Sequence, residues 1–255
     1  SDWIFCLDFN TLSRTKRMEA KLSEASAKRI LIDHHREPQT EVFAYGISDT
    51  GKSSTSEMIY DFIVASGHTE KINLPAAECI YAGVMTDTGS FRFPSTTPSV
   101  HRLIAHLMER GLAHSMVHEN LFDNFSENRF RFFGNVLLHR MEVMYEYNTA
   151  LIAIPQADLV KYDIRTGDTE GLVNFPLSIE GIKLAAIIID RGEERKCSFR
   201  SKGDFDVNTF ARTYFDGGGH FNAAGGQSKE PLDAVVTKFK QAIAENRNKL
   251  TSYKF

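Results

Sequence analysis

Short apolar runs alternate with amphipathic segments through the first half of the chain. Residues 3–7 read as a buried strand ending at Asp8, and residues 30–32 as a second strand leading into Asp33-His34-His35. Ser54-Thr55-Ser56-Glu57 is a capping-box pattern, and it predicts a helix with Met58, Ile59, Phe62 and Ile63 on one face, closed by Gly67. After Pro75, Ala76, Ile80 and Val84 fall beside Ala77, Tyr81 and Met85. That spacing predicts a mostly buried helix that runs out into a loop at Asp87-Thr88-Gly89. Thr97-Pro98 predicts a cap with proline at the first helical position; Val100, Leu103, Ile104 and Leu107 form the apolar face and Gly111 ends it. Alternation of this kind predicts an α/β domain around a parallel sheet, over residues 1–125.

The pattern then changes. Residues 116–141 are polar and aromatic at helical spacing with little glycine or proline, which predicts a helical connection over 126–141. Residues 142–147, 150–154, 183–190 and 195–200 read as strands of a second, smaller α/β unit over 142–255. Its longest apolar run, 184–189, suits a buried strand. Asp206 is placed to cap a short helix carrying Val207, Phe210 and Ala211, and a last helix is expected over about 231–248.

Composition narrows the function classes. Hydrophobic residues make up 42% and charged residues 25%, and no run approaches the roughly 20 apolar residues of a membrane span. No membrane association is expected, and a cytoplasmic location is. Cys6, Cys79 and Cys197 are odd in number and far apart, against a disulfide framework or a zinc knuckle. A net charge of −3 gives no global field for duplex DNA, so an anionic substrate must meet a local basic cluster.

Two constellations carry chemistry. Asp8 and Asp33-His34-His35 follow strands, and Asp87 lies where a helix ends. In open α/β sheets the carboxyl ends of strands gather at the edge where ligands bind. Carboxylate oxygens with an imidazole suit Mn²⁺ or Mg²⁺ better than zinc. A pair of such ions about 3.5 to 4 Å apart is the usual engine for attacking a phosphate ester. By spacing alone, however, an acidic residue after a strand also serves as a helix cap, and adjacent histidines are also common surface residues. The second constellation is Gly217-Gly218-Gly219-His220 with Asn222 and Gly225-Gly226, a turn whose backbone N–H groups could approach an anion, or a plain helix-terminating loop. Arg191, Arg195, Lys196, Arg200 and Lys202 crowd nearby; strand alternation puts Lys196 and Arg200 on one face, and Arg200 is the expected phosphate contact.

Asp33-His34-His35, Asp87-Thr88-Gly89 and Gly217-Gly218-Gly219-His220 with Asn222-Ala223-Ala224-Gly225 together resemble the DHH/DHHA1 phosphoesterase family, in order and across nearly the whole chain. Residues 91–98, 170–174 and 198–201 look like its nanoRNase and 3′-phosphoadenosine 5′-phosphate phosphatase branch. The resemblance implies a parallel-sheet DHH domain joined by helices to a DHHA1 domain. It implies two Mn²⁺ ions (Mg²⁺ being an alternative) bridged by Asp8 and Asp87, with His34 on one ion, His35 on the scissile phosphate and Asp33 orienting His34. Arg200 and Ser201 would hold a phosphate, and Gly217, Gly218, Gly219, His220 and Asn222 the nucleotide. Substrates would be short single-stranded oligonucleotides or phosphoadenosine phosphate, hydrolysed in a cleft between the domains, and a homodimer would suit the family. Members of the family open with a His-x-x-x-Asp-x-Asp type loop that has no counterpart before Asp8, so an N-terminally incomplete DHH domain is expected, with impaired activity if this chain is the whole molecule and normal activity if it is part of a longer one. Other readings are a RecJ-like exonuclease, a cyclic-dinucleotide phosphodiesterase, or an inactive nucleotide-binding fragment.

Overall fold

A computed structural model describes residues 2–252; positions 1 and 253–255, at the outer ends of the two expected domains, lie outside them. The chain divides into two compact units, 1–124 and 125–255. No helix among the described residues is long and apolar enough to cross a membrane.

The first unit carries a parallel three-stranded sheet of β1 (Trp3–Leu7), β2 (Lys28–Asp33) and β3 (Tyr45–Ser48), in that spatial order. Register pairs Cys6 with Leu31 and Leu31 with Gly46. β1 is not the buried strand expected from its composition. Cys6 is fully buried, but Trp3, Phe5 and Leu7 are 47%, 49% and 39% exposed. The period of two puts these three on one face of an edge strand, where the Phe62 ring meets that of Phe5 edge-on. β3 was not legible from sequence, because a four-residue strand with glycine in it gives almost no periodic signal.

Helices α1 (Glu19–Glu24), α2 (Thr55–Ala65), α3 (Leu74–Asp87), α4 (Pro98–Glu109) and α5 (His114–Phe122) complete the unit. Ser54 Oγ accepts the Glu57 N–H at 3.0 Å, and Asn73 Oδ1 accepts the Ala76 N–H, so both starts are fixed by side chains. Thr97, expected to cap α4, instead pairs its hydroxyl with that of Ser99 at 2.7 Å. Phe62, expected on the apolar face of α2, is 52% exposed. Ala77, Ile80, Tyr81, Val84 and Met85 of α3 pack with Val100, Leu103 and Leu107 of α4 in one core.

The second unit is built on a six-stranded sheet ordered β4 (Met141–Met144), β5 (Thr149–Ile154), β6 (Leu184–Asp190), β7 (Arg195–Ser201), β9 (Ala223–Ser228), β8 (Gly218–His220). Only β5 and β6 run parallel; the other neighbours are antiparallel. Both faces of β6 are covered. Leu184, Ala186 and Ile188 face a core with Phe199, Phe210, Phe215 and Phe239, while Ala185, Ile187 and Ile189 face another with Phe132, Val136, Ile152 and Ile154. Burial on two sides is why 184–189 reads as one apolar run.

The stretch read from the sequence as a connection, 126–141, forms α6 (Glu127–His139) and the first residue of β4. Its Phe132 and Val136 are wholly buried within the second unit's core. The strand expected over 142–147 stops at Met144, and Tyr145–Tyr147 turn as a 3₁₀ segment into Asn148 at φ 48°. α7 (Gln156–Lys161), α8 (Asn174–Leu177), α9 (Val207–Tyr214), α10 (Leu232–Glu245) and α11 (Arg247–Thr251) follow in order. Asp206 Oδ1 caps α9 through the N–H groups of Asn208 and Thr209.

Phe239 is fully buried among three other phenylalanines, so Phe239→Ala should cost about 3–5 kcal/mol in chemical denaturation. Phe62→Ala, at a half-exposed ring, should cost about 1 kcal/mol or less. Equal losses would contradict this distribution of the core.

Candidate metal centre

β1 and β2 run parallel, so their carboxyl ends fall together and carry Asp8 and His34 to the same edge. Asp8 leaves β1 with φ 65°, a left-handed conformation unusual for a residue with a side chain, while its N–H still donates to Ile32 O. Asp87 is the last residue of α3 rather than a loop residue. There its carboxylate stands at the negative end of a helix, which disfavours its charge and which a nearby cation would offset.

His34 is 7% exposed, and its Nε2 lies 3.6 Å from Asp8 Oδ1 and 3.6 Å from Asp87 Oδ2. One ligand atom from each of the three residues lies within 4.8 Å of the other two. His34 Nδ1 is 3.3 Å from the Lys52 carbonyl oxygen, which can only accept, so Nδ1 is the donor to that carbonyl and Nε2 faces the two carboxylates. Separations of 3.6 Å are too long for good hydrogen bonds and of the order expected between ligands sharing one ion. Two carboxylates directed at one point repel each other, and a cation among them would offset that repulsion. Burial raises the Asp87 carboxyl above its ordinary range; His34 and His35 pull it back and Asp8 pushes it up further. The donor set fits a hard divalent cation.

Asp33 does something other than expected. It was assigned to His34, but its carboxylate holds His35, with Oδ1 2.8 Å from Nδ1 and Oδ2 accepting the His35 N–H at 2.9 Å. The reason is local: an aspartate readily bonds the backbone two residues on, and that bend brings the His35 ring, not the His34 ring, over the carboxylate. Asp33 is fully buried; burial pushes its carboxyl up, but the His35 side-chain and backbone bonds outweigh that and hold it below the ordinary range. Sequence reasoning missed Thr55, whose hydroxyl donates to Asp8 Oδ1 at 2.9 Å from 47 positions away. Its place at the start of the capped helix α2 was the only available signal.

In the second unit, Arg200 is half-buried on β7 and donates from Nη1 to its neighbour's carbonyl, Phe199 O, at 2.9 Å. Burial lowers its guanidinium below the usual value, and Glu170 counteracts this. Ser201 is buried; its hydroxyl donates to Phe205 O at 2.6 Å and accepts from Asn222 Nδ2 at 2.9 Å. Asn222 Nδ2 also donates to Gly203 O. These two side chains tie the end of β7 to the β8–β9 hairpin. The glycine segment is that hairpin and not a loop. A Cβ on Gly217 would collide with Gly225 O, and one on Gly219, at φ 154°, with Ala223 O. The Gly219 N–H, expected to face an anion, is taken by Asn208 Oδ1 at 2.9 Å. Close backbone approach therefore explains these glycines. His220 is exposed at the end of β8.

Comparison with known proteins agrees with both units. The DHH family, N-terminal domain, matches residues 2–84, and the DHHA1 domain matches residues 148–245. The chain is 32% identical over 239 residues to the bifunctional oligoribonuclease and PAP phosphatase NrnA of Bacillus subtilis, covering 91% of this chain and 73% of that protein. It is 29% identical over 219 residues to the protein of the same name from Thermus thermophilus, covering 85% of this chain and 64% of that protein. The crystal structure of an exopolyphosphatase-related protein from Bacteroides fragilis superposes with a TM-score of 0.92 at 36% identity, covering 98% of this chain and 73% of that one. The chain belongs to the DHH/DHHA1 phosphoesterase family.

Proposed function

We propose that the chain hydrolyses phosphate esters at the ends of short single-stranded oligonucleotides and the 3′-phosphate of phosphoadenosine phosphate, using Mn²⁺ or Mg²⁺ held by Asp8, His34 and Asp87. The observation that carries this reading is the convergence of those three ligand atoms on one point. The names of the two NrnA relatives support the substrate class.

When bound, a divalent cation would supply charge stabilisation at the phosphoryl oxygens. The chain's own residues do the rest. Thr55 fixes the Asp8 carboxylate and the Lys52 carbonyl fixes the His34 ring, so the ligands are oriented before the ion arrives. Asp33, ionised and buried, accepts the hydrogen bond of His35 Nδ1–H, so Nε2 is the nitrogen that would meet the scissile phosphate. In the second unit Arg200 and His220 are the proposed nucleotide contacts, Arg200 pairing with a phosphate. Ser201, Asn222 and the glycines would act by holding β7 and the hairpin in place.

Incubation with Mn²⁺ and either phosphoadenosine phosphate or a labelled dinucleotide should release phosphate or mononucleotide. Asp87→Ala and His34→Ala should lower turnover by more than about 100-fold, since even the partners that orient metal ligands are worth about 10–100-fold. No release by the wild-type chain while nucleotide binding persists would make it a binding module and sink the enzyme reading.

A second outcome separates the ligand role from a structural one. The Asp87 pKa is raised in the folded state, so the folded protein prefers the protonated form, and ionisation costs stability at neutral pH. Asp87→Asn should therefore raise the melting temperature of the metal-free protein at pH 7. The gain should fade as pH drops through the raised value towards the ordinary carboxylate range near about 4, because the wild-type carboxyl is then protonated too. A lower melting temperature at pH 7 would contradict the crowding of charge at this site.

A further inference from the structure

Glu57 is 2% exposed, in the first turn of α2, and has no place in the family resemblance or among the ligands. Its position three residues after Ser54 makes it the acidic partner of a capping box. A capping-box glutamate takes the backbone N–H of the cap residue itself. Glu57 Oε2 instead takes the N–H of Ser53, one residue earlier, at 2.8 Å. That N–H belongs to the peptide unit whose carbonyl is Lys52 O, and Lys52 O is the atom 3.3 Å from His34 Nδ1. One amide plane therefore has a buried carboxylate at its N–H end and the His34 ring at its C=O end.

We propose that Glu57 is a positioning residue for the metal centre, acting on His34 through the Lys52–Ser53 peptide. This rests on the reading of His34 as a ligand. A carboxylate on an amide N–H polarises the amide and strengthens its carbonyl as an acceptor. A stronger acceptor holds the proton on His34 Nδ1, keeps the Nε2 lone pair directed at Asp8 and Asp87, and makes that lone pair more basic. Metal-bound histidines are commonly steadied by a carboxylate or a backbone carbonyl; here the two are connected in series. The other oxygen of Glu57 is held separately. Oε1 accepts from Ser99 Oγ of α4 at 3.0 Å and lies 3.5 Å from Lys52 Nζ, which is itself paired with Asp61 at 2.6 Å. Both oxygens are thereby fixed, one by α4 and Lys52, the other on the amide. Burial pushes the Glu57 carboxyl up, but the Ser53 and Ser99 bonds and the Lys52 charge outweigh it and keep the group ionised.

The test uses Glu57→Gln, Glu57→Ala and, as reference, His34→Ala, each confirmed folded by its melting curve. Two readouts are taken on the full chain: the ¹⁵N shifts of the His34 ring without metal, and Mn²⁺ affinity by electron paramagnetic resonance. Glutamine can still accept the Ser53 N–H but carries no charge. Glu57→Gln should keep the Nδ1-protonated ring and weaken Mn²⁺ binding several-fold, while Glu57→Ala should shift the ring towards the other tautomer and weaken binding by about 10–100-fold. If alanine proves too destabilising to fold, the loss of affinity in the glutamine variant decides. Unchanged Mn²⁺ affinity in folded Glu57→Gln, with binding lost in His34→Ala, would overturn the relay and leave the metal centre standing. Unchanged affinity in His34→Ala would overturn the metal reading itself.

Discussion

The carboxylates of Asp8 and Asp87 are held at the same distance, 3.6 Å, from one nitrogen of a buried imidazole. The two carboxylates repel each other across the imidazole, and covalent and packing constraints elsewhere hold them there. β1 and β2 are locked in parallel register, so Asp8 cannot retreat from His34 without breaking the ladder that includes its own N–H. Asp87 is fixed by the α3 helix, whose Val84 and Met85 are wholly buried one turn and less away. Thr55 and the Lys52 carbonyl set the remaining angles from the start of α2 and the loop before it. The fold gathers carboxylates at a strand edge, where a divalent cation would offset their charge.

The second unit solves a different problem. Arg200 is held partly desolvated yet oriented, on a strand whose alternate residues, Cys197 and Phe199, are buried in a core of aromatic rings. Ser201 and Asn222 spend their hydrogen-bonding capacity on each other and on nearby carbonyls. These bonds brace the end of β7 against the hairpin.

Bonds of this kind mark the limit of what the sequence reveals. The helices of the first unit were legible because caps such as Ser54 and Asn73 and the apolar spacing of α3 and α4 are local signals. The candidate ligands Asp8, His34 and Asp87 were legible because each sits at the end of such an element. The partner of Asp33 was not, since the choice between two adjacent histidines depends on a bend that the residue letters do not specify. The bond from Thr55 to Asp8 spans 47 positions and has no periodic trace. The glycines of 217–226 indicated a turn, whereas tertiary packing of two strands and Phe215 against each other demanded them. Long apolar strands such as β6 read clearly; β3 and β8, short and glycine-containing, could not.

The central claim is that Asp8, His34 and Asp87 are ligands to one divalent cation. Anomalous diffraction at the manganese edge, from crystals of the chain grown or soaked with Mn²⁺, tests it most directly. The account predicts an anomalous peak within coordination distance of His34 Nε2 and of both carboxylates, about 2.0–2.6 Å for hard cations. A fully occupied peak elsewhere, with His34 Nε2 bonded to protein groups instead, would contradict it.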